Sequence, residues 1–130
     1  MKISILTISY NSAGTIKDTI ESVLGQDVDD LEYLIVDGCS TDQTTEIIKS
    51  YESNISKWIS EPDKGIYDAM NKAVKMATGE VVGILNSDDF YSDNTILRQV
   101  MKVFQNPAID AVFGDLVFVD PADLNKVVRT

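Results

Sequence analysis

Two kinds of segment alternate along this chain without interruption, and that regularity limits the fold more than any other feature. Residues 3–10, "ISILTISY", are mostly apolar and β-branched, as in a strand covered on both faces. Residues 11–26, "NSAGTIKDTIESVLGQ", then place Ile16, Ile20, Val23 and Leu24 at helical spacing. Thr15 and Asp18 fit a capping box there, and Gly25 sits near the stop. A second strand, "LEYLIVDG" at 31–38, precedes a helix that sets Ile47, Ile48 and Tyr51 on one face. A short third strand, "SKWISE", spans 56–61. The segment at 65–79 strings Ile66, Ala69, Met70, Ala73, Val74 and Ala77 into one stripe, with Gly79 where a C-terminal cap is wanted. "EVVGILN" at 80–86 reads as a fourth strand, 92–107 as a helix stopped near Pro107, and "DAVFGDLVFVD" at 110–120 as a fifth strand.

Such alternation predicts an α/β domain with a three-layer, doubly wound, mostly parallel sheet. Right-handed crossovers order the first three strands 3-2-1 outward, and the fourth returns beside the first. The expected order is therefore 3-2-1-4 with a fifth strand added. The return creates a switch point between strands one and four, and ligands of such sheets bind outside the carboxyl ends of the strands. At 130 residues the chain is one domain's length.

Its 21 acidic residues outnumber the 11 basic ones, for a formal net charge of −10. Repulsion from a polyanion argues against nucleic-acid binding, whereas a small phosphate ligand is compatible if a divalent metal screens it. With no His in the sequence, imidazole acid–base chemistry is excluded. Any metal would take oxygen ligands, which favours Mg2+ or Mn2+ over zinc. Cys39 stands alone, so no intrachain disulfide forms and a reducing compartment is expected. The apolar N-terminal run is too short for a signal-peptide core or a membrane span, which points to the cytoplasm.

Unusual residues gather at the predicted carboxyl ends. Strand one ends in Ser9-Tyr10-Asn11, strand two in Asp37-Gly38, strand three in Glu61-Pro62-Asp63-Lys64 and strand four in Asn86-Ser87-Asp88-Asp89. The opposite ends are blander, with Lys2, Leu31, Ser56 and Glu80. Two like charges about 4 Å apart repel by on the order of 4 kcal/mol at an effective dielectric of about 20, unless a cation or hydrogen bonds offset it. Neither a G-x-G-x-x-G turn nor a P-loop occurs, so a diphosphate would need a metal in place of a glycine-rich cradle. One of Asp88 and Asp89 would hold that metal while the other bonds a sugar hydroxyl. Asp37 suits the N–H of a base edge, and Tyr10 the face of the base. Each also has a plainer reading: an Asx-capped turn for the Asp pair, turn chemistry for Asp37, a solvated charge for Lys64, core for Tyr10. Trp58 and Met70 read as packing residues. Asp18, Glu21, Asp29, Asp30 and Glu32 read as solvated surface.

Taken together, these stretches resemble the nucleotide-binding half of a family 2 glycosyltransferase with the GT-A, Rossmann-like fold. The likeness is carried by "ILTISYNSAGTIKDTIESVLGQ", "YLIVDGCSTDQTTEII" and "SEPDKGIYDAMNKAVKMATGEVVGILNSDDFY", and more loosely by "AVFGD". It implies a nucleotide-sugar site containing Ile8, Tyr10 and Asn11, with Tyr10 and the backbone near Ile8 lining the base pocket. Asp37 would bond the base, Asp63 and Lys64 would face base or phosphates, Asp88 would reach the ribose, and Asp89 would ligate Mn2+ or Mg2+. The family's Asp-x-Asp motif has Asn86 or Ser87 at its first position here, which leaves the number of direct protein–metal bonds open.

The implied reaction is inverting, metal-dependent hexosyl transfer from a nucleotide-diphosphate sugar to an acceptor hydroxyl. The acceptor would be a saccharide or lipid-linked, in bacterial-type polysaccharide or cell-surface glycan synthesis, in the cytoplasm or at the cytoplasmic face of the inner membrane. Family members continue well past residue 130, so the general base is expected beyond Thr130. Residues 1–130 then form a single donor-binding domain truncated before the acceptor part. Peripheral membrane association would run through the missing parts, and apolar Val117, Phe118 and Val119 would favour self-association. The alternative is a nucleotide-sugar-binding module without turnover. A metal-dependent phosphatase or a phospho-acceptor domain would want an acid directly after strand one, where this chain has Tyr10-Asn11.

Overall fold

In a computed structural model of the chain, residues 1–112 and the backbone of 118–120 and 123–129 are described. Strands and helices follow in the order β1 (Ile3–Ser9), α1 (Ile16–Leu24), β2 (Leu31–Asp37), α2 (Thr44–Ser50), β3 (Lys57–Ser60), α3 (Ile66–Met76), β4 (Val81–Ile84) and α4 (Ile96–Phe104). The first four strands form one parallel sheet of order β3-β2-β1-β4, as the alternation predicts. β1 pairs along its full length with β2, from Ile3 opposite Leu31 to Ser9 opposite Asp37. Its other edge takes β4, from Ile3 opposite Val81 to Leu6 opposite Ile84.

Successive side chains of β1 serve opposite layers. Ile3 and Ile5 pack with Ile16, Ile20 and Val23 of α1, Ile48 of α2 and Leu97 of α4. Leu6 and Ile8 pack with Leu34, Val36 and the small residues Ala69 and Ala73 of α3. Each fully buried aliphatic side chain stabilises the domain by roughly 1.5–3 kcal/mol. The positions of α1 and α2 on the first face thus follow from the chain moving outward from β1 to β3, and that of α3 on the second face from its return to β4.

Several expectations need correcting. Ile66 and Val74 are about half exposed, because α3 seats on the sheet through its alanines. Val82 and Ile84 lie opposite Ser4 and Leu6, on the α3 face, and are likewise about half exposed, so the apolar run is buried on one face only. Thr15 makes no side-chain cap bond to α1, since its hydroxyl donates to the Ser87 carbonyl instead (2.9 Å). Gly25 does occupy the C-cap of that helix. Gly79 caps nothing: α3 stops at Met76 with Ala77 as its C-cap. A β-carbon at Gly79 would lie 2.6 Å from Ser4 Oγ and 2.9 Å from the Lys2 carbonyl oxygen, so glycine lets the chain pass closely under β1. The fifth strand is not found as drawn. Residues 110–112 are irregular, 113–117 lie outside the described residues, and β5 (Phe118–Asp120) pairs antiparallel with β6 (Asp123–Arg129) in a separate two-stranded sheet. Val117 also falls outside the described residues, as do the side chains of Phe118 and Val119.

Glu32 is buried rather than solvated. Its carboxylate accepts hydrogen bonds from Ser4 Oγ (2.8 Å), the Thr78 amide (2.8 Å) and Thr78 Oγ1 (2.9 Å), and Lys2 Nζ stands 3.6 Å away. Burial works against its charge, but these donors and Lys2 outweigh that, holding the pKa at about 2 against an ordinary 4.5. The charged form therefore stabilises the fold by about 3 kcal/mol above the unfolded-state pKa, and this contribution is lost as pH falls from near 4.5 toward 2. Urea titrations between pH 6 and pH 3 should show that loss in the parent protein. Glu32→Gln, already lacking the charge, should be less stable at pH 6 and show a flatter acid limb.

Candidate functional site

At the carboxyl end of the sheet, four chain exits are tied together by short polar side chains. β1 leaves through Tyr10, which is exposed, and Asn11, whose φ of 47° is left-handed. Asparagine tolerates that conformation, and here its Oδ1 accepts from the Thr41 amide (2.8 Å) while its own amide donates to Ser40 Oγ (2.8 Å). One residue further, the Ser12 amide donates to Thr44 Oγ1 (2.8 Å). The β1 exit is thereby joined to the β2–α2 loop, in which Cys39 also takes a left-handed φ of 64°.

Asp37, the last residue of β2, is fully buried. Its Oδ1 accepts from Ser9 Oγ (2.8 Å) and Ser40 Oγ (2.6 Å), and its Oδ2 from the Ser40 amide (2.9 Å) and Ser60 Oγ (2.8 Å). A carboxylate offers about four acceptor positions. All are taken by the exits of β1, β2 and β3, so Asp37 acts here as the knot joining three strands.

The β3–α3 loop carries Asp63 and Lys64. Asp63 Oδ1 accepts from the Gly65 amide (3.0 Å), and Gly65 has a φ of 112° that side chains rarely adopt. A β-carbon on Gly38 would stand 2.7 Å from Asp63 Oδ2 and 3.5 Å from Tyr10 Cδ1, so a glycine there leaves room for both side chains at the end of β2. The Lys64 amide donates to Asp68 Oδ2 (2.9 Å), its side chain is exposed, and it makes no ion pair among the described residues. Lys72 anchors the loop from α3, donating to the Pro62 carbonyl (3.0 Å) and pairing with Glu61 (3.0 Å).

After β4 the chain turns at 86–89, closed by the Asp89 amide donating to the Asn86 carbonyl (3.0 Å). Ser87 is buried, its Oγ 2.6 Å from Ser12 Oγ, while Asp88 is exposed and Asp89 half-buried. Burial and then the charge of Asp88 raise the Asp89 pKa, against a hydrogen bond from the Asn86 side chain. Among the described residues no Lys or Arg pairs with either acid. The local charge is thus uncompensated, and the available donors are hard oxygens, which suits Mg2+ or Mn2+. No cluster of three or more His, Cys, Asp or Glu occurs among the described residues, so a cation there would take its remaining ligands from diphosphate or water.

A cleft of about 440 Å³ opens at the switch point, its walls including Ile8, Tyr10, Asn11, Ile66, Asn86 and Asp88. Four of the expected site residues, Ile8, Tyr10, Asn11 and Asp88, therefore share one cavity. Asp37, Asp63, Lys64 and Asp89 are not among its walls. The hydroxyls of Ser12, Thr15 and Ser87 also line it and were absent from the expected set. A signal existed: Ser12, Thr15, Thr19, Ser22 and Gln26 recur every three or four residues, a second, polar stripe beside the apolar one of α1.

A parallel sheet of order 3-2-1-4 with paired aspartates at its switch point has the GT-A fold of glycosyltransferases, and solved structures agree. TarS of Staphylococcus aureus, solved with UDP-GlcNAc, is 30% identical and superposes with a TM-score of 0.74 over 81% of this chain and 31% of its own. The mannosyltransferase PcManGT of Pyrobaculum calidifontis, solved with GDP-Man and Mn2+, is 25% identical with a TM-score of 0.80 over 95% of this chain and 37% of its own. The chain belongs to Glycosyl transferase family 2, whose family model matches residues 4–128. TuaG of Bacillus subtilis, named for teichuronic acid biosynthesis, is 34% identical over 98% of this chain and 52% of its own length. The chain spans about half the length of the curated relatives it matches.

The knot at Asp37 makes a direct prediction. Asp37→Ala removes the acceptor of four donors in a buried place and should lower unfolding stability by on the order of 3 kcal/mol, measured by urea denaturation. Asp37→Asn, which keeps the shape and one acceptor oxygen, should lose less.

Proposed function

We propose that this chain is the donor-binding part of an inverting, metal-dependent hexosyltransferase that uses a nucleotide-diphosphate sugar. The observation that carries this reading is the switch-point cleft, where Tyr10 and Asp88 share one cavity beside an acidic turn that pairs with no Lys or Arg among the described residues. In this reading the base lies against Tyr10 and over the backbone of Ile8, with Asn11 and Asp63 at its edges. Asp37 serves the base by fixing the loops around it. Asp88 bonds the ribose, Lys64 answers the phosphates from the rim, and Asp89, with help from Asn86, holds the cation. Mg2+ or Mn2+, when bound, supplies positive charge that stabilises the leaving diphosphate. Asp88 lines the cleft and Asp89 stands next to it in the chain, and the Ser12–Ser87 contact keeps the turn against the exit of β1.

Support from relatives is of two kinds. TarS was solved with UDP-GlcNAc and PcManGT with GDP-Man and Mn2+, so a nucleotide-sugar donor and a divalent cation are consistent with this fold. TuaG is named for teichuronic acid biosynthesis, which favours synthesis of a bacterial surface polysaccharide; the proposed acceptor is a saccharide or lipid-linked, at the cytoplasmic side of the membrane. The general base is assigned to the part of the relatives' length that residues 1–130 do not span. A second reading follows from that assignment: residues 1–130 alone bind the donor and do not turn it over.

Calorimetric titration of UDP-, GDP-, dTDP- and CDP-sugars, with and without Mn2+, tests the proposal. One of them should bind more tightly with Mn2+ than without, and Asp89→Ala should abolish that increment. Unchanged Mn2+ dependence in Asp89→Ala refutes the metal assignment, and rapid sugar transfer by residues 1–130 alone refutes the second reading.

A further inference from the structure

The loop between β4 and α4 is fastened to α1 along its length. Thr15 Oγ1 donates to the Ser87 carbonyl (2.9 Å), and Thr19 Oγ1 lies 3.0 Å from that same oxygen and 2.5 Å from the Asp89 carbonyl. Ser22 Oγ accepts from the Tyr91 amide (3.1 Å). Gln26 donates to the Asp93 carbonyl (2.6 Å) and accepts from the Leu97 amide at the start of α4 (3.0 Å). Thr19 is fully buried, so its hydroxyl has no water to turn to. It carries one proton, and Thr15 already serves Ser87, which leaves Asp89 as the acceptor that Thr19 satisfies. The two carbonyls bracket Asp88. With the Asp89 amide bonded to Asn86, the peptides on both sides of the acidic pair are fixed.

We infer that Thr19 is a positioning residue for the Asp88–Asp89 turn, setting the directions of both carboxylates from α1 without touching a ligand. The inference rests on the donor-site reading above. Gln26 provides the internal control, because it holds the distal part of the same loop and does not reach the turn.

The test compares the parent protein with Thr19→Val, Thr19→Ser and Gln26→Leu. It measures thermal stability, Mn2+-dependent binding of UDP and GDP by calorimetry, and bound Mn2+ by electron paramagnetic resonance. Thr19→Val keeps the size of the side chain and deletes the hydroxyl. It should weaken Mn2+-dependent nucleotide binding at least about tenfold, the loss typical of removing a group that orients a metal ligand. Thr19→Ser should restore most of it, and Gln26→Leu should lower the melting temperature while binding as the parent does. Parent-like binding by Thr19→Val, failure of Thr19→Ser to restore it, or an equal loss in Gln26→Leu overturns the inference while the donor site stands. Absence of Mn2+-dependent binding in the parent overturns the site reading and the inference with it. Should Thr19→Val not fold, Thr19→Ala deletes the same hydroxyl without placing a methyl group where it stood, and the same outcomes decide.

Discussion

β1 is paired on both edges and buried at all seven of its residues, and the placement of everything else follows from it. A strand in that position cannot slip by one residue without exchanging the sets that face α1 and α3. Ile3 and Ile5 commit one face to three helices, and Leu6 and Ile8 commit the other to the alanines of α3. Register with β2 then puts Ser9 beside Asp37, and register with β4 puts the 86–89 turn beside Ser12. The cleft lies outside the carboxyl ends of β1 and β4, between the chain leaving β1 for α1 and the turn that follows β4.

The acids of this chain fall into two physical kinds. Glu32, at the amino end of the sheet, and Asp37, at the carboxyl end, are buried and surrounded by donors from their own chain. Their charge is internally satisfied and has structural consequences. Asp88 and Asp89 are different, since each is the other's nearest charge problem and no cation of the described chain answers it. At a net charge of −10 the molecule has little positive potential to offer an anionic donor, so a nucleotide diphosphate would need a cation brought from solution.

The sheet order was legible because alternation and crossover handedness leave few topologies, and the apolar stripe of α1 at Ile16, Ile20 and Val23 is buried as its spacing requires. The rim was legible because polar residues at strand ends have no packing reason to recur. What sequence hid were the partners. Thr15 looks like a helix cap until Ser87 is found beside it, and Glu32 looks like surface until Thr78 and Ser4 close over it. Gly79 looks like a cap because the pattern does not show how near β1 passes. Ile66 and Val74 have core periodicity, yet small Ala69 and Ala73 decide where α3 rests. A stripe identifies a face; only packing decides how wide the contact is.

The choice of hydroxyls on α1 and on the loop before it has an electrostatic logic. The turn carrying Asp88 and Asp89 must be held against its own repulsion, and an arginine or lysine on α1 would hold it most strongly. Such a residue would also neutralise the turn and compete for the place of a divalent ion. Thr15, Thr19 and Ser12 avoid that competition. They grip the backbone carbonyls and the Ser87 hydroxyl, not the carboxylates, so the turn is fixed while its full negative charge is kept. A turn proposed to hold a cation has reason to be positioned by neutral donors, and every side chain reaching this turn from α1 and the loop before it is one.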